Sequence, residues 1–153
     1  MDSSLLGAVI ARHVASGADY SSNTLSETYP DGEDIEVFTV VALARAWKEA
    51  TLLSEREHVT PYIRNHPELF VQESLTSPID HSDQRWTLDT ERDMDLLREI
   101  YRELGPHDEF FGIEEILSLL IRRKDISALN AGTVRNEGLL KSLREDGPAK
   151  AGT

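Results

Sequence analysis

The sequence predicts a mixed α/β fold, and three observations carry that expectation. Apolar residues recur at helical spacing in two long stretches, Leu6, Val9, Ile10, His13 and Val14 near the start and Met94, Leu97, Ile100, Tyr101 and Leu104 later. Between them lie short runs with a period of two. The clearest is Asp34–Val40, where Ile35, Val37 and Thr39 oppose Asp34, Glu36 and Phe38. The resulting order is helix, strand, strand, helix, helix, strand, strand, helix, helix. A doubly wound sheet normally opens on a strand and a glycine-rich phosphate turn, and this order opens instead on the helix that would follow them.

Each element has its own signal. Asp2, Ser3 or Ser4 can cap the first helix, and Gly17 ends it. His13 on that stripe reads as a packed histidine rather than a ligand. A strand-like piece follows at Ala18–Asn23, then the turn Tyr29-Pro30-Asp31-Gly32. The stretch from Val41 to about Ala50 is a helix with Leu43, Ala46 and Trp47 on its apolar side. Glu55–Tyr62 reads as a helix broken near Pro61, with Asn65-His66-Pro67 as the stop. Leu69–Leu75 is strand-like and Thr76–Gln84 a polar loop. Arg85–Leu88 reads as a short strand that ends at Asp89. The helix from Thr90 stops at Gly105-Pro106. Another covers Ile113–Lys124 with Ile116, Leu117, Leu120 and Ile121 inward. A last short helix is expected within Asn136–Glu145, before a disordered Gly/Pro/Ala/Lys tail.

Length and composition bound the function. The 153 residues suffice for one domain, and 39% hydrophobic residues allow a modest core. Sixteen basic against 28 acidic residues leave a formal charge of -12, which repels phosphate backbones and anionic membranes. A nucleotide delivered with a divalent cation remains compatible with that charge. The absence of cysteine removes disulfides, thiolate zinc sites and thiol nucleophiles. The start, Met-Asp-Ser-Ser, has no basic n-region, and no apolar stretch is long enough to span a bilayer, so a cytoplasmic protein without membrane or nucleic-acid partners is expected.

Three groups of residues can carry chemistry. Glu55–Tyr62 packs two carboxylates, Arg56, His58, Thr60 and the Tyr62 phenol around Pro61, a density of polar groups that suits a polar pocket better than a core. Asp89, with Asp93 one helical turn on, can present oxygens to magnesium, and the alternative is a helix N-cap. Asp31, Asp34 and Glu36 can accept from sugar hydroxyls, or can serve a turn and a wet strand face. Glu55-x-x-His58 is half of a di-iron motif without a second copy. His58 and His66 lack the zinc-protease arrangement, and Asp80-His81-Ser82 has no nucleophile elbow beside it.

The residues also follow one family in order. Ser16-Gly17-Ala18-Asp19-Tyr20, Ser22-Asn23-Thr24-Leu25, Tyr29-Pro30-Asp31-Gly32, Asp34-Ile35-Glu36-Val37-Phe38, Ala42-Leu43 and Ala46-Trp47 come first. Glu55-Arg56-Glu57-His58-Val59-Thr60-Pro61-Tyr62-Ile63, then Leu88-Asp89-Thr90 with Asp93, continue it. The chain resembles, from about residue 2 to at least residue 129, the cytidylyltransferases of the spore-coat polysaccharide biosynthesis type, relatives of the acylneuraminate and 3-deoxy-manno-octulosonate cytidylyltransferases. The resemblance implies the carboxyl-terminal portion of a nucleotide-diphospho-sugar-transferase-like, Rossmann-like three-layer fold, without its amino-terminal nucleotide-binding strands. It implies CTP- and magnesium-dependent activation of a sugar or sugar acid to a CMP-sugar, with Asp89 as a metal ligand. Asp31, Asp34, Glu36, Arg56, Glu57, His58 and Tyr62 would face the sugar.

Two departures qualify what is implied. The family's Pro-Glu-Asp after the Asp-Thr pair is Glu91-Arg92-Asp93 here. The glycine- and basic-rich triphosphate loop, and a second acidic motif, would lie before Met1. The expectation is therefore a truncated or split product, residues 1–130 forming the sugar-side part and 131–153 a short helix and tail. Such a chain would be inactive alone and would work with an amino-terminal partner half or as a homo-oligomer. The alternative is a non-catalytic binding or oligomerisation module derived from the fold.

Overall fold

The computed structural model describes residues 2–106, 110–132 and 142–146, and the elements follow the predicted α/β order. The first helix, α1 (Ser3–Ser16), is capped by Asp2, whose Oδ1 accepts from the Ser4 and Leu5 amides at 2.8 and 3.1 Å. It ends at Gly17, whose φ of 65° takes the left-handed cap that suits glycine. Its inward line is Leu5 and Val9 with half-buried His13. Ile10 and Val14 lie a further 100° round and are exposed, which corrects the broader stripe.

Three short strands follow: β1 (Tyr20–Ser22), β2 (Glu36–Phe38) and β3 (Gln72–Ser74), in sheet order β2-β1-β3. β1 and β2 run antiparallel with Tyr20 opposite Phe38, while β1 and β3 run parallel with Tyr20 opposite Gln72. A parallel pair needs a long crossover, supplied here by α2 (Val40–Glu49), α3 (Leu53–Glu57) and α4 (Pro61–Asn65). β2 is shorter than the expected strand because the Thr39 hydroxyl accepts from the Ala42 amide at 3.0 Å and so starts α2. Val59, at φ 68°, separates α3 from α4, and Pro61 occupies the first turn of α4 rather than breaking a single helix.

The expected strand at Arg85–Leu88 is absent among the described residues. Arg85 makes only an isolated parallel bridge with Asp31, because the Asp31 amide donates to Gln84 O and the Trp86 amide to Asp31 O, with no ladder beyond. The helix that follows, α5 (Glu91–Leu104), is capped by Thr90, not Asp89. The predicted Ile113–Lys124 helix is divided into α6 (Ile113–Arg122) and α7 (Lys124–Ser127).

Contacts group the chain into two compact units. Unit 1 comprises Met1–Ala8, Glu27–Asp34 and Thr76–Thr133. Its core holds Trp86, Leu96, Ile100, Leu119, Leu120 and Ile126, whereas Tyr101 and Ile121 are exposed, unlike their predicted inward places. Unit 2 comprises Val9–Ser26, Ile35–Leu75 and Val134–Thr153, with a core of Tyr20, Ala42, Ala46, Tyr62, Ile63 and Phe70. Trp47, expected on the inner side of α2, is exposed there, and Ala42 and Ala46 take the inner positions. Most of the expected carboxyl-terminal helix and the tail lie outside the described residues.

Candidate functional site

In unit 1 the Pro30–Glu33 turn closes with the Glu33 amide donating to Pro30 O at 3.1 Å. Gly32 has φ 103°, and a Cβ there would stand 2.8 Å from the Trp86 carbonyl carbon, so the position requires glycine. The turn brings Asp31 to Arg85. The Arg85 guanidinium, 10% exposed, donates through Nη1 to Asp31 Oδ2 at 2.9 Å, through Nη2 to Asp89 Oδ2 at 2.6 Å, and through Nε to Asp93 Oδ1 at 3.2 Å. One planar cation thus faces three carboxylates, with each edge of its fork in use.

The three carboxylates differ in access. Asp31 and Asp93 are buried, while the Asp89 side chain is 67% exposed. Burial opposes the charge of Asp93, but Asn130 Nδ2 at 2.9 Å, Arg85, the Thr90 hydroxyl and the Asp89 amide outweigh it and hold its carboxyl far below the usual range. Burial likewise works against the charge of Arg85, and the Asp93, Asp31 and Asp89 carboxylates overcome it and raise its pKa. Asp93 also accepts from the Thr90 amide while the Thr90 hydroxyl accepts from the Asp93 amide, closing a reciprocal cap on α5. Asp34 is half-buried in the same unit.

In unit 2 the polar residues pair mainly with hydroxyls. Glu36, on the exposed face of β2, accepts from the Tyr20 phenol and, at 2.9 Å, from Thr60 Oγ1. Burial and the Glu36 carboxylate push the Tyr20 phenol upward. The Ser142 hydroxyl joins Glu57 Oε2 and His58 Nε2, each at 3.0 Å. The Tyr62 phenol donates to Glu49 Oε2 at 2.9 Å, and burial, then Glu49, raise its pKa. Arg56 stacks 4.0 Å from the Trp47 ring centroid and donates to the Trp47 carbonyl oxygen, which anchors both at the surface. Glu55 is buried and accepts from the Thr51 and Leu52 amides at 3.1 and 3.2 Å, capping α3.

The structure therefore brings Asp31 and Asp89 together with Asp93, and places Glu36, Arg56, Glu57, His58 and Tyr62 in unit 2 in separate small networks. Arg85, Asn130 and Ser142 were not singled out from the sequence. Arg85 had a readable signal in its spacing to Asp89 and Asp93, four residues apart each time. Among the described residues no group of three or more His, Asp or Glu side chains is arranged to hold a metal ion. Of the three carboxylates around Arg85, Asp89 is the exposed one, a donor that suits magnesium completed by phosphates and water rather than a protein cage. No helix of the described residues is long and apolar enough to cross a membrane.

No protein-family model matches the chain. It is 37% identical over 118 residues to an uncharacterized protein of Methanocaldococcus jannaschii, covering 74% of this chain and 45% of that one. It is 29% identical over 127 residues to the spore coat polysaccharide biosynthesis protein SpsF of Bacillus subtilis, covering 82% of this chain and 52% of SpsF. The chain thus spans about half the length of both curated relatives. The solved structure of a cytidylyltransferase from Leptospira borgpetersenii superposes with a TM-score of 0.80 at 23% identity, over 88% of this chain and 56% of that one, which shows a shared fold. Taken together, the chain is similar to about half of SpsF, follows its motifs in order, and shares the fold of a solved cytidylyltransferase.

Proposed function

We propose that this segment is the carboxyl-terminal, sugar-side part of a protein that makes a CMP-sugar for a surface polysaccharide, acting with a part that holds the nucleotide. The observation that carries the reading is the Arg85 cluster. Its two buried carboxylates fix the guanidinium, and the guanidinium fixes Asp89, leaving one carboxylate oriented yet open to solvent. In the transfer a sugar hydroxyl forms a bond to the α-phosphorus of CTP, the α–β phosphoanhydride bond breaks, and diphosphate leaves. Magnesium, when bound, neutralises charge on the triphosphate, and Asp89 is the residue here that would hold it. Glu36, Glu57, His58, Tyr62 and Arg56 supply acceptors and donors for sugar hydroxyls or a sugar carboxylate. Asp31 acts through Arg85, and Asp34 lies three residues further on.

The test is diphosphate release from CTP with Mg²⁺ and a panel of sugar acids, using this chain alone and with the amino-terminal half of a relative. Release is expected only from the pair. Asp89→Asn should abolish it while the melting temperature stays put, because Thr90 caps α5 and an exposed ion pair contributes only about 0–1 kcal/mol. A large fall in melting temperature would remove Asp89 from the metal role. A second reading, a non-catalytic oligomerisation module, is favoured by Val40, Val41 and Val71, which unit 2 leaves exposed. A stable assembly in sedimentation with no turnover from the pair would select it.

A further inference from the structure

Within unit 2, residues Ser142 and Asp146 dock on α3 and on the residue that follows it. Asp146 closes on the start of the helix, its Oδ1 accepting from the Ser54 amide and its Oδ2 from the Ser54 hydroxyl, each at 2.9 Å. One turn further on, the Ser142 hydroxyl meets Glu57 Oε2 and His58 Nε2, each at 3.0 Å. Ser54 and Ser142 are both buried. The partners are 92 and 84 positions apart in sequence, so these are tertiary contacts and not local turn chemistry.

Glu57 and His58 are the last residue and the C-cap of α3. Successive helical positions point about 100° apart and do not face each other, so nothing local brings this carboxylate and this imidazole to one point. The Ser142 hydroxyl does so. It also fixes the state of the ring. A hydroxyl has one proton, and Ser142 donates it to the Glu57 carboxylate, which can only accept. The bond to His58 must then run from Nε2–H to the Ser142 oxygen, which leaves Nδ1 of the neutral ring as an acceptor. Among the described residues no group donates to His58 Nδ1, and the ring is half-buried.

We infer that Ser142 is a positioning residue: it holds His58 with Nδ1 able to accept from a sugar hydroxyl, and it keeps the Glu57 carboxylate beside the ring as a second acceptor. The inference deepens the sugar-side reading of Glu57 and His58 and rests on it, whereas the state of the ring can be measured without it.

The test has two arms. The first is nitrogen NMR of the isotope-labelled full chain at a pH where the ring is neutral, with His58→Gln assigning the signals. His58 should carry its proton on Nε2, and Ser142→Ala should open that proton to exchange and erase its signal. Ser142→Thr keeps a hydroxyl and should preserve it. Asp146→Ala removes the other contact without touching the ring and should weaken the same signal, which keeps the test open should Ser142→Ala disturb folding. The second arm is diphosphate release by the pair. Ser142→Ala should raise the KM for the sugar about three- to tenfold with kcat and the KM for CTP unchanged, and Ser142→Thr should restore it. A proton on Nδ1, or a ring signal unchanged in both Ser142→Ala and Asp146→Ala, overturns the inference, as does an unchanged sugar KM. If the unmodified pair releases no diphosphate, the cytidylyl-transfer reading fails instead, and the ring signals alone decide whether Ser142 positions His58.

Discussion

Unit 1 sets one guanidinium among three carboxylates and keeps two of them from water, whereas in unit 2 Glu36 and Glu57 are answered by a phenol and alcohols, and the guanidinium pairs, Arg12–Glu73 and Arg45–Glu49, lie at the surface. The two solutions differ in what happens when a partner is lost. A buried carboxylate without its guanidinium keeps a charge it can neither solvate nor pass on. Glu36 lies on an exposed strand face, so water can take the place of a lost hydroxyl. Charge pairing gives unit 1 a fixed geometry at the cost of fragility. Hydroxyl pairing leaves unit 2 more tolerant and its carboxylates freer to change partners.

The sharpest way to break this contrast is Arg85→Met. It strips the cation from buried Asp31 and Asp93 and should cost about 3–5 kcal/mol in urea unfolding. A loss below about 1 kcal/mol would place the cluster with ordinary surface pairs.

A smaller effect separates the units by pH. Because the folded state holds Asp93 below its ordinary value of 3.8, the stability this provides is present above that value and is lost as pH falls below it. The Tyr20 phenol is shifted the other way, so its contribution is present below the ordinary 10.0 and is lost as pH rises through the raised value. Asp93→Asn should therefore flatten the acid decline of the stability–pH curve and leave the alkaline limb alone.

The smallest expected change is in Tyr20→Phe, about 1 kcal/mol at neutral pH with a flatter alkaline limb. If that variant costs as much as Arg85→Met, the distinction between the units fails.

How much of this was readable in advance depends on how local each cause is. The helices α1, α2 and α5 were legible because caps and apolar spacing sit within a few residues of one another. Strand lengths were overread, since alternation cannot reveal that the Thr39 hydroxyl turns back to start a helix. The capping contact of Glu55 was not legible, because it depends on the direction of a side chain. The partners that define the networks lie farther away: Asp31 is 54 positions from Arg85, and Ser142 is 84 from His58. Asp31 and Glu36 were singled out as sugar-facing and Asp89 as a metal ligand; the structure gives them protein partners, Arg85 for Asp31 and Asp89, and Tyr20 with Thr60 for Glu36.

The division into units has a consequence for how the protein is made. Each unit is assembled from three separate stretches that alternate along the chain, so no single contiguous fragment contains either of them. A growing chain has already released Asp93 when it still lacks Asn130, 37 positions on, whose amide helps satisfy that buried carboxylate. Unit 1 must therefore wait, with an unfinished charge in its interior, until Asn130 has left the ribosome.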